Sequence, residues 1–547
     1  MNAFLSAIRR HVDREPERTF CQFVTSTDTI SLTWRDFGIN VSGYTRRFGS
    51  VEPGVVLIFL KHTPHLYWAF FGAMFAGLVP SFMPCLSLKQ DPAIYWGSHV
   101  TLLRHIKPVA IVSDAETFSE MQANGLDLAP YCCVDVATVG PGSGDLSEIG
   151  DATTIALLQH SSGTTGLKKG VALSFAAIVC QLDSYSAALA IDRSDVIVSW
   201  LPVYHDMGLV ACLLLPTYVG IPLVHIDTFH WLTRPGILLE YITTHKGTLC
   251  WLPNFAFEHI ERTVRPGKSI DLGSVRALIN CSEPCRAPTF DRFLAKFRPL
   301  GIDETKLQVC YAMAEAVFAV TQTELTHPAK RFMADTEALQ AGWVTATTDG
   351  GTELVSAGRE IDGIEALVLD RDGGVLPEGR VGEIGLRGKF LFSGYYKDPA
   401  LSASRSAGGV YRTGDLGFRR GGELFIVARI DDLLIINGKN IYAHEVEAIV
   451  NATVCGVKPG RVAAISIFNA TAGSDVLVVI AEQLEDGADA NRAKISEAVF
   501  SQIGVTPWDI RIVPSGWLVK TTSGKTSRKE NRLRYLSEVG HDSSGIG

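Results

Sequence analysis

The sequence of 547 residues predicts an α/β fold with three parts: a large N-terminal domain of two parallel or mixed sheets covered by helices, a small β-barrel-like subdomain, and a small α+β C-terminal domain. Three observations predict this fold. The chain is too long for a single hydrophobic core. Short apolar runs alternate with segments of helical length, which is typical of parallel sheets covered by helices. After about Gly350, frequent glycines separate short strands.

The N-terminal part contains both the strand-like runs and two long apolar stretches. The runs are Val55–Leu60, Val109–Val112, Val196–Leu201, Thr248–Leu252 and Val275–Asn280. Leu66–Phe75 is apolar on nearly every side, so we expect a deeply buried covering helix. Met207–Val224 is long enough to span a bilayer, but Pro216, Gly220 and Pro222 interrupt it. We interpret it as a buried part of the core and predict no transmembrane segment.

The C-terminal part is a compact α+β sequence, and its boundary with the preceding part lies near residues 428–432. It has an amphipathic segment at Ala443–Val450, strands near Arg461–Ile467 and Val476–Ala481, and a helix near Asn491–Ile503. We therefore predict domains at residues 1–428 and 429–537. The polar, glycine-rich residues 538–547 are predicted to form a flexible tail.

Composition excludes several functional classes. The net charge of −8 argues against a general nucleic-acid-binding protein, because the chain has no excess of cations to neutralise phosphates. The eleven cysteines form no CxxC pair, so neither a zinc ribbon nor a thioredoxin-like site is indicated. A reduced cytoplasmic compartment fits this cysteine usage best.

The clearest candidate site in the sequence is the segment Ser161–Gly170, which follows an apolar strand. Its glycines allow the backbone to approach an anion closely, and its hydroxyl groups supply hydrogen-bond donors. Lys168 and Lys169 add positive charge. No Gly-Lys-Ser/Thr tripeptide closes the segment, so it is not a Walker A loop. On these residues alone, a solvated Ser/Gly turn is an equal alternative to a phosphate loop.

Further motifs in the chain favour the phosphate loop over the solvated turn. They follow in order as LPVYHDMGL (201–209), NCSEPCR (280–286), YAMAEA (311–316), YRTGDL (411–416), RIDD (429–432) and KTTSGKTSR (520–528). Together with SSGTTGLKKG (161–170), they resemble the signature motifs of the acyl-adenylate-forming superfamily. The resemblance spans nearly the whole chain and is closest to fatty acyl-AMP ligases and long-chain acyl-CoA synthetase-like proteins.

The resemblance implies an ATP-dependent ligase. It would activate a carboxylic acid, fatty or related, as acyl-AMP with release of pyrophosphate, and then pass the acyl group to the phosphopantetheine thiol of an acyl carrier protein. Free CoA is the alternative acceptor, and a non-catalytic nucleotide-binding protein of the same fold is a more remote alternative. The carrier preference comes from the polar segment at about Thr326–Glu353, which resembles an insertion of the fatty acyl-AMP ligases; the other interpretation is an ordinary variable loop.

The resemblance also implies roles for individual residues. The implied ATP- and AMP-binding residues are Ser161, Ser162, Gly163, Thr164, Thr165, Gly166, Lys169, Ser282, Glu283, Tyr311, Ala312, Met313, Asp415 and Arg429. The implied catalytic residues are Lys525, His205 and Glu315. Lys525 would stabilise the negative charge between the carboxylate and the α-phosphate, His205 would orient the carboxylate, and Glu315 would bind Mg²⁺. Asp431 is the implied hinge about which a mobile C-terminal domain rotates between the two half-reactions.

The sequence departs from the superfamily pattern at several of these positions. Cys281 and Ser282 replace the usual Gly-Ala pair, Lys168 replaces a proline, and Ala312 replaces the glycine after Tyr311. None of these changes removes a charged catalytic group.

Overall fold

The computed structural model describes residues 2–86, 92–146, 155–161, 169–267, 269–436, 439–469, 474–484, 488–520 and 526–542. Up to residue 135 the elements are α1 (Ala3–Arg14), β1 (Thr19–Val24), β2 (Thr29–Thr33), α2 (Trp34–Phe48), β3 (Val55–Ile58), α3 (His65–Phe75), β4 (Val79–Phe82), α4 (Pro92–Ile106), β5 (Ala110–Ser113), α5 (Ala115–Ala123) and β6 (Cys132–Asp135).

The middle of the chain continues the alternation of strands and helices. From residue 155 the elements are β7 (Ile155–Ser161), β8 (Lys169–Ser174), α6 (Phe175–Ala188), β9 (Ile197–Ser199), a π-helix (Met207–Leu214), α7 (Leu215–Val219), β10 (Leu223–Ile226), α8 (Thr228–Thr233), α9 (Gly236–His245), β11 (Leu249–Leu252), α10 (Asn254–Thr263), β12 (Ala277–Asn280), α11 (Ala287–Phe297) and β13 (Leu307–Ala312).

Strands dominate the next part of the chain, which contains β14 (Ala319–Gln322), β15 (Arg331–Ala334), α12 (Thr336–Gln340), β16 (Thr352–Val355), β17 (Arg359–Glu360), β18 (Ile364–Leu369), β19 (Gly382–Gly388), α13 (Pro399–Arg405), β20 (Ser406–Ala407), β21 (Val410–Arg420) and β22 (Glu423–Arg429). The last part contains β23 (Leu433–Ile436), β24 (Lys439–Tyr442), α14 (Ala443–Thr453), β25 (Val457–Asn469), β26 (Ser474–Gln483), α15 (Ala488–Ile503), β27 (Asp509–Val513) and α16 (Arg528–Asp542). Short 3₁₀ turns include Ala314–Ala316 and Ile430–Asp432.

Two sheets form the centre of the N-terminal part, as the sequence predicts. The larger has nine strands in the order β17-β14-β13-β12-β11-β9-β10-β1-β2. Its central strands, from β13 to β1, run parallel, and antiparallel strands complete both ends. The smaller sheet, β4-β3-β5-β6, is entirely parallel. The predicted class of parallel and mixed sheets covered by helices is therefore confirmed.

Both long apolar stretches are buried, which also agrees with the prediction. In α3, ten of eleven residues are buried, because this helix is covered on all sides. The stretch that begins at Met207 starts as a π-helix whose eight residues are all buried. A side chain at Gly208 would place its Cβ 2.3 Å from the Pro202 carbonyl oxygen, so only glycine allows this close approach. Within the described parts of the chain, no helix is both long and apolar enough to cross a membrane.

Two smaller β structures follow the large sheets. Strands β18, β19, β21, β20 and β22 form one antiparallel sheet, and β15 and β16 form a separate antiparallel pair with α12 between them in the chain. In the C-terminal part, the sheet β25-β26-β27 has a hydrophobic cluster on each face. Leu477 and Val479 contribute to the cluster shared with α14 and α15, whereas Val478 and Ile480 contribute to the cluster on the opposite face, which includes Tyr535 of α16.

The predicted flexible tail begins too early. Helix α16 continues past Glu538 to Asp542 because its later residues have tertiary partners. Glu538 accepts a hydrogen bond from the Trp517 indole at 3.0 Å, and Val539 packs against the cluster on the α16 face of the sheet. Residues 543–547 lie outside the described part of the chain.

Candidate functional site

The parallel strands of the large sheet bring several predicted site residues to one edge. His205 follows β9, Ser282 and Glu283 follow β12, and Tyr311 lies near the end of the adjacent strand β13. These strands run in the same direction, so their carboxyl ends meet at the same edge. That edge is where α/β sheets usually bind ligands.

Asp415 is the centre of the best-defined part of the site. Its two carboxylate oxygens accept hydrogen bonds from the Tyr311 hydroxyl at 2.6 Å and from Nε of Arg429 at 2.9 Å. Asp415 and Arg429 face each other because they are paired in the register of β21 and β22. The Asp415 side chain is only 12% exposed, whereas the Arg429 side chain is 53% exposed. The Asp415 charge raises the pKa of Arg429, and burial raises the pKa of Tyr311 well above its usual range.

Glu315 is the centre of a second cluster. Tyr395 donates its hydroxyl to Oε1 of Glu315 at 2.8 Å, and the Tyr411 hydroxyl lies 3.2 Å from that of Tyr395. The Lys169 ammonium lies 5.4 Å from the centre of the Tyr395 ring. Burial lowers the pKa of Lys169, and Glu315 acts in the opposite direction. The structure therefore brings Glu315 and Lys169, two of the predicted residues, to the same tyrosine.

The backbone next to Glu315 is strained. Val317 has φ of 62° and ψ of −56°, and the Phe318 N–H donates to the Ala316 carbonyl at 2.6 Å. This is the geometry of the rare γ-turn, and a β-branched residue adopts positive φ only at a cost. The turn follows directly on the 3₁₀ turn Ala314–Ala316. Strained residues of this kind cluster at functional sites, where the surrounding structure holds them.

The phosphate-loop prediction falls mostly outside the described residues. This applies to Ser162, Gly163, Thr164, Thr165, Gly166 and Lys168. The strands on either side of the segment, β7 and β8, form an antiparallel pair. In this pair Ser161 lies opposite Lys169, and His160 lies opposite Gly170. The hairpin is anchored on both strands, because the Ser81 hydroxyl donates to the Leu158 carbonyl at 2.7 Å and the Tyr396 N–H donates to the Gly170 carbonyl at 2.7 Å.

His205 is held close to that hairpin. Gln159 of β7 donates its amide to the Tyr204 carbonyl at 2.9 Å. His205 lies just before the π-helix that begins at Met207, and its carbonyl accepts the Leu209 N–H at 2.7 Å. Helices with this wider winding are rare and occur frequently at functional sites.

Ser282 and Glu283 lie on the loop after β12. Ser282 has φ of 70°, in the left-handed region that favours glycine. Glu283 accepts the Phe255 N–H at 2.9 Å, so its carboxylate binds the start of α10. Ala312, by contrast, needs no glycine, because it lies in β13 and pairs with Ala319. Met313 continues this segment, and its N–H donates to the Phe318 carbonyl at 2.9 Å.

Sequence reasoning missed the two tyrosines that contact Glu315 or each other. Tyr395 lies 80 residues away from Glu315 in the chain, in a segment with no motif that we used. Tyr411 belongs to the YRTGDL string, but that string gave no role for its hydroxyl. A tyrosine buried beside a motif strand is a weak signal, because most such tyrosines are core residues.

The remaining predicted residues lie in the C-terminal part. Lys525 is outside the described residues, and Asp431 lies exposed in the 3₁₀ turn Ile430–Asp432. Arg528, three residues after Lys525, binds Glu447 of α14 with two hydrogen bonds of 2.8 and 2.6 Å. It also forms an ion pair of 2.7 Å with Asp432.

Glu315 fits the donor chemistry of a Mg²⁺ ligand. Its carboxylate supplies hard oxygen donors, and Tyr395 donates its hydrogen bond to one of the two oxygens, Oε1. Among the described residues, no group of three or more His, Cys, Asp and Glu side chains gathers at one point. Mg²⁺ does not require one, because it commonly binds one or two carboxylates together with water and substrate phosphates.

The chain is similar to known proteins along most of its length. The model of the family described as "AMP-binding enzyme" matches residues 8–396. The chain is 33% identical to a putative fatty-acid–CoA ligase, fadD25, of Mycobacterium tuberculosis, over 94% of this chain and 93% of that protein. It is 29% identical to the long-chain-fatty-acid–AMP ligase FadD32 of Mycolicibacterium smegmatis, over 94% and 91% of the two chains. A solved structure from a study of fatty acyl-adenylate ligases of E. coli and L. pneumophila covers 99% of this chain and 100% of its own, with a TM-score of 0.89 and 24% identity.

Proposed function

This chain belongs to the AMP-binding enzyme family, and from that premise we propose that it activates a carboxylic acid, fatty or related, as acyl-AMP and transfers the acyl group to the thiol of an acyl carrier protein. The observation that carries the proposal is the arrangement of Tyr311, Asp415 and Arg429. It offers an aromatic ring beside a buried carboxylate whose oxygens are held in place, which suits adenine stacking and the two ribose hydroxyls.

In the proposed first half-reaction, a carboxylate oxygen attacks the α-phosphorus of ATP, and pyrophosphate leaves. Two anions must approach each other, so neutralising and aligning charge is the main task. The segment Ser161–Lys169 would bind the phosphates, His205 would orient the carboxylate, and Lys525 would stabilise the charge that develops between the two reactants. Mg²⁺ held by Glu315 would neutralise phosphate charge when bound.

We further propose that residues 1–428 and 429–537 act as two domains, with Asp431 as the hinge between them. The support is that the C-terminal clusters consist of residues from Leu434 onward, apart from one shared cluster. In the second half-reaction the thiol attacks the carbonyl carbon of acyl-AMP, the thioester forms, and AMP leaves. Rotation about the hinge would remove Lys525 and admit the thiol.

The shared cluster favours a carrier protein over free CoA. Phe332 and Leu339 belong to the inserted segment, Phe418 and Phe425 to the antiparallel sheet, and Tyr442 to the C-terminal part, and all five are buried together. A rotation that exposes Tyr442 loses part of this burial. A carrier protein brings its own interface to offset that loss, whereas the small CoA molecule offers less contact surface.

The family relatives do not settle the acceptor by themselves, since one is named a CoA ligase and another an AMP ligase. We keep the cytoplasm as the proposed compartment, because all eleven cysteines are free thiols.

The experiment that tests adenylation is carboxylate-dependent ATP–pyrophosphate exchange across a panel of fatty, hydroxy and aromatic acids. Exchange with at least one class is expected, and its absence with every class would favour the non-catalytic alternative. Lys525→Ala should reduce exchange strongly, while thiol transfer from supplied acyl-AMP stays near the wild-type rate. Equal loss of both steps would show that the role of Lys525 is wrong.

The acceptor needs a separate test. Preformed acyl-AMP is offered either CoA or a phosphopantetheinylated carrier protein, and thioester formation is followed on each. We expect the carrier to react faster. Leu339→Ala, which loosens the shared cluster, should raise the rate with CoA, whereas Leu272→Ala, which removes the same atoms from the main core, should not. Rapid thioester formation on CoA alone in the wild-type protein would establish the CoA ligase instead.

A further inference from the structure

The segment that carries Lys525 begins and ends at two residues held by a single buried side chain, Asn531. Asn531 lies in the first turn of α16, outside the KTTSGKTSR string, and it is fully buried. Its Oδ1 accepts the Val519 N–H at 2.9 Å, and its Nδ2 donates to the Val519 carbonyl at 3.0 Å. The same Nδ2 donates to the Ser527 carbonyl at 2.8 Å.

These bonds join the two ends of the segment. The Ser527 N–H also donates to the Val519 carbonyl at 3.0 Å, and Lys520 and Thr526 form an antiparallel bridge just inside. An amide is suited to this position because it donates and accepts at once, so it binds both backbone groups of Val519 as a neighbouring strand would. A carboxylate would lack the donors, and an aliphatic side chain would lack both.

The chain just before Val519 is fixed by further contacts. Leu518 donates its N–H to the buried Glu482 carboxylate at 2.9 Å. Arg534 of α16 donates to the Trp517 carbonyl at 2.7 Å and lies over the Trp517 ring. The backbone from Trp517 to Val519 is therefore attached both to the sheet and to α16.

We propose that Asn531 is a positioning residue for adenylation, acting through Lys525. The inference rests on the proposed function, in which the Lys525 ammonium must lie between the carboxylate and the α-phosphate. Asn531 holds Val519 and Ser527 together, and these two residues flank the part of the chain that contains Lys525. Loss of such positioning is costly, since a displacement of about 1 Å can reduce a rate about 100-fold.

The test compares three variants in both half-reactions. Asn531→Ala removes the three side-chain bonds, Asn531→Gln keeps the amide on a longer stem, and Tyr535→Phe removes a bond from the same face of α16 to Asp509 without contact with Val519 or Ser527. For Asn531→Ala we expect kcat for ATP–pyrophosphate exchange to fall about 10- to 100-fold, with KM for ATP and transfer from supplied acyl-AMP within about twofold of wild type. Asn531→Gln should recover part of the loss, and Tyr535→Phe should change neither step.

A double-mutant comparison separates positioning from general stability. In a Lys525→Ala background, Asn531→Ala should cause no further loss of acyl-AMP formation, because the group it positions is already gone. Additive loss, equal loss in both half-reactions, or unchanged exchange in Asn531→Ala would each overturn the proposal. If Asn531→Ala lowers the melting temperature below the assay temperature, the same comparison made with Asn531→Gln decides the question. Failure of the wild-type protein to catalyse any exchange would count against the proposed function instead.

Discussion

Replacing Asp415 with asparagine removes the charge at the centre of the Tyr311–Asp415–Arg429 arrangement and keeps its shape. An asparagine can turn its oxygen to Nε of Arg429 and its amide to the Tyr311 hydroxyl, which accepts as well as donates. The fold should therefore tolerate the change. What is lost is the ability of the side chain to accept two charge-assisted hydrogen bonds from the ribose.

The magnitude follows from the difference between charged and neutral hydrogen bonds. A hydrogen bond to a charged group contributes about 1.5–3 kcal/mol and a neutral one about 0.5–1.5 kcal/mol, so two such bonds weaken by about 2–3 kcal/mol together. This corresponds to a decrease of about 30- to 150-fold in kcat/KM for ATP. The ion pair itself adds at most about 1 kcal/mol to stability, because Arg429 is half exposed and solvent screens the interaction.

The assay is ATP–pyrophosphate exchange as a function of ATP concentration, together with the melting temperature. The matched control is Glu360→Gln, which weakens the ion pair of Glu360 with Arg419 (3.1 Å from Nη2 to Oε2), farther along β21. We expect Asp415→Asn to lose activity with little loss of stability, and Glu360→Gln to retain activity. Unchanged kcat/KM in Asp415→Asn would refute the assignment of Asp415 to the ribose.

Three further predictions concern the hinge, the strained turn and pH. Asp431→Pro should slow acyl transfer more than exchange, because proline fits the first turn of the 3₁₀ segment but stiffens the hinge; untouched transfer, measured with supplied acyl-AMP, would place the hinge elsewhere. Val317→Gly should be more stable to denaturant than Val317→Ala by about 1 kcal/mol, because glycine relieves the positive φ while losing one more methyl group; the reverse order would show that the turn is unstrained. Burial raises the pKa of Glu445 from 4.5 to about 7 and lowers the pKa of His444 from 6.5 to about 4. Stability from Glu445 is present below pH 4.5 and lost as the pH rises through 7, whereas stability from His444 is present above pH 6.5 and lost as the pH falls through 4. Melting temperatures should therefore fall with rising pH in His444→Gln and rise with rising pH in Glu445→Gln between pH 4.5 and 6.5, and equal slopes in the two variants would contradict the assignment.

The sequence predicted the parts of the fold that depend on local pattern. The run Val55–Leu60 became β3, and the apolar segment from Leu66 became the buried helix α3, because burial on all sides leaves a continuous apolar run. Strand β14, by contrast, runs antiparallel at the end of a parallel sheet. Direction at a sheet end depends on tertiary pairing, which periodicity does not encode.

In the candidate site, too, the sequence predicted what depends on local motifs and not what depends on tertiary contacts. The motif strings identified Glu315 and Asp415, but not what surrounds Glu315. Tyr395 reaches Glu315 from 80 residues away, and Val317 bends the backbone beside it. Tyr395 is brought there because it forms a bridge with Val171 of β8, a tertiary pairing that the sequence pattern does not encode.

Arg528 gives the C-terminal part a mechanical property. It binds Asp432, the residue after the proposed pivot, and Glu447 of α14, and it begins the helix that holds both ends of the Lys525 segment. Arg528 therefore connects the turn at the proposed hinge directly to α14 and to α16. A rotation at Asp431 would then move α14 and α16 together. In the proposed mechanism, the two half-reactions would then differ by one rotation that α14 and α16 make together.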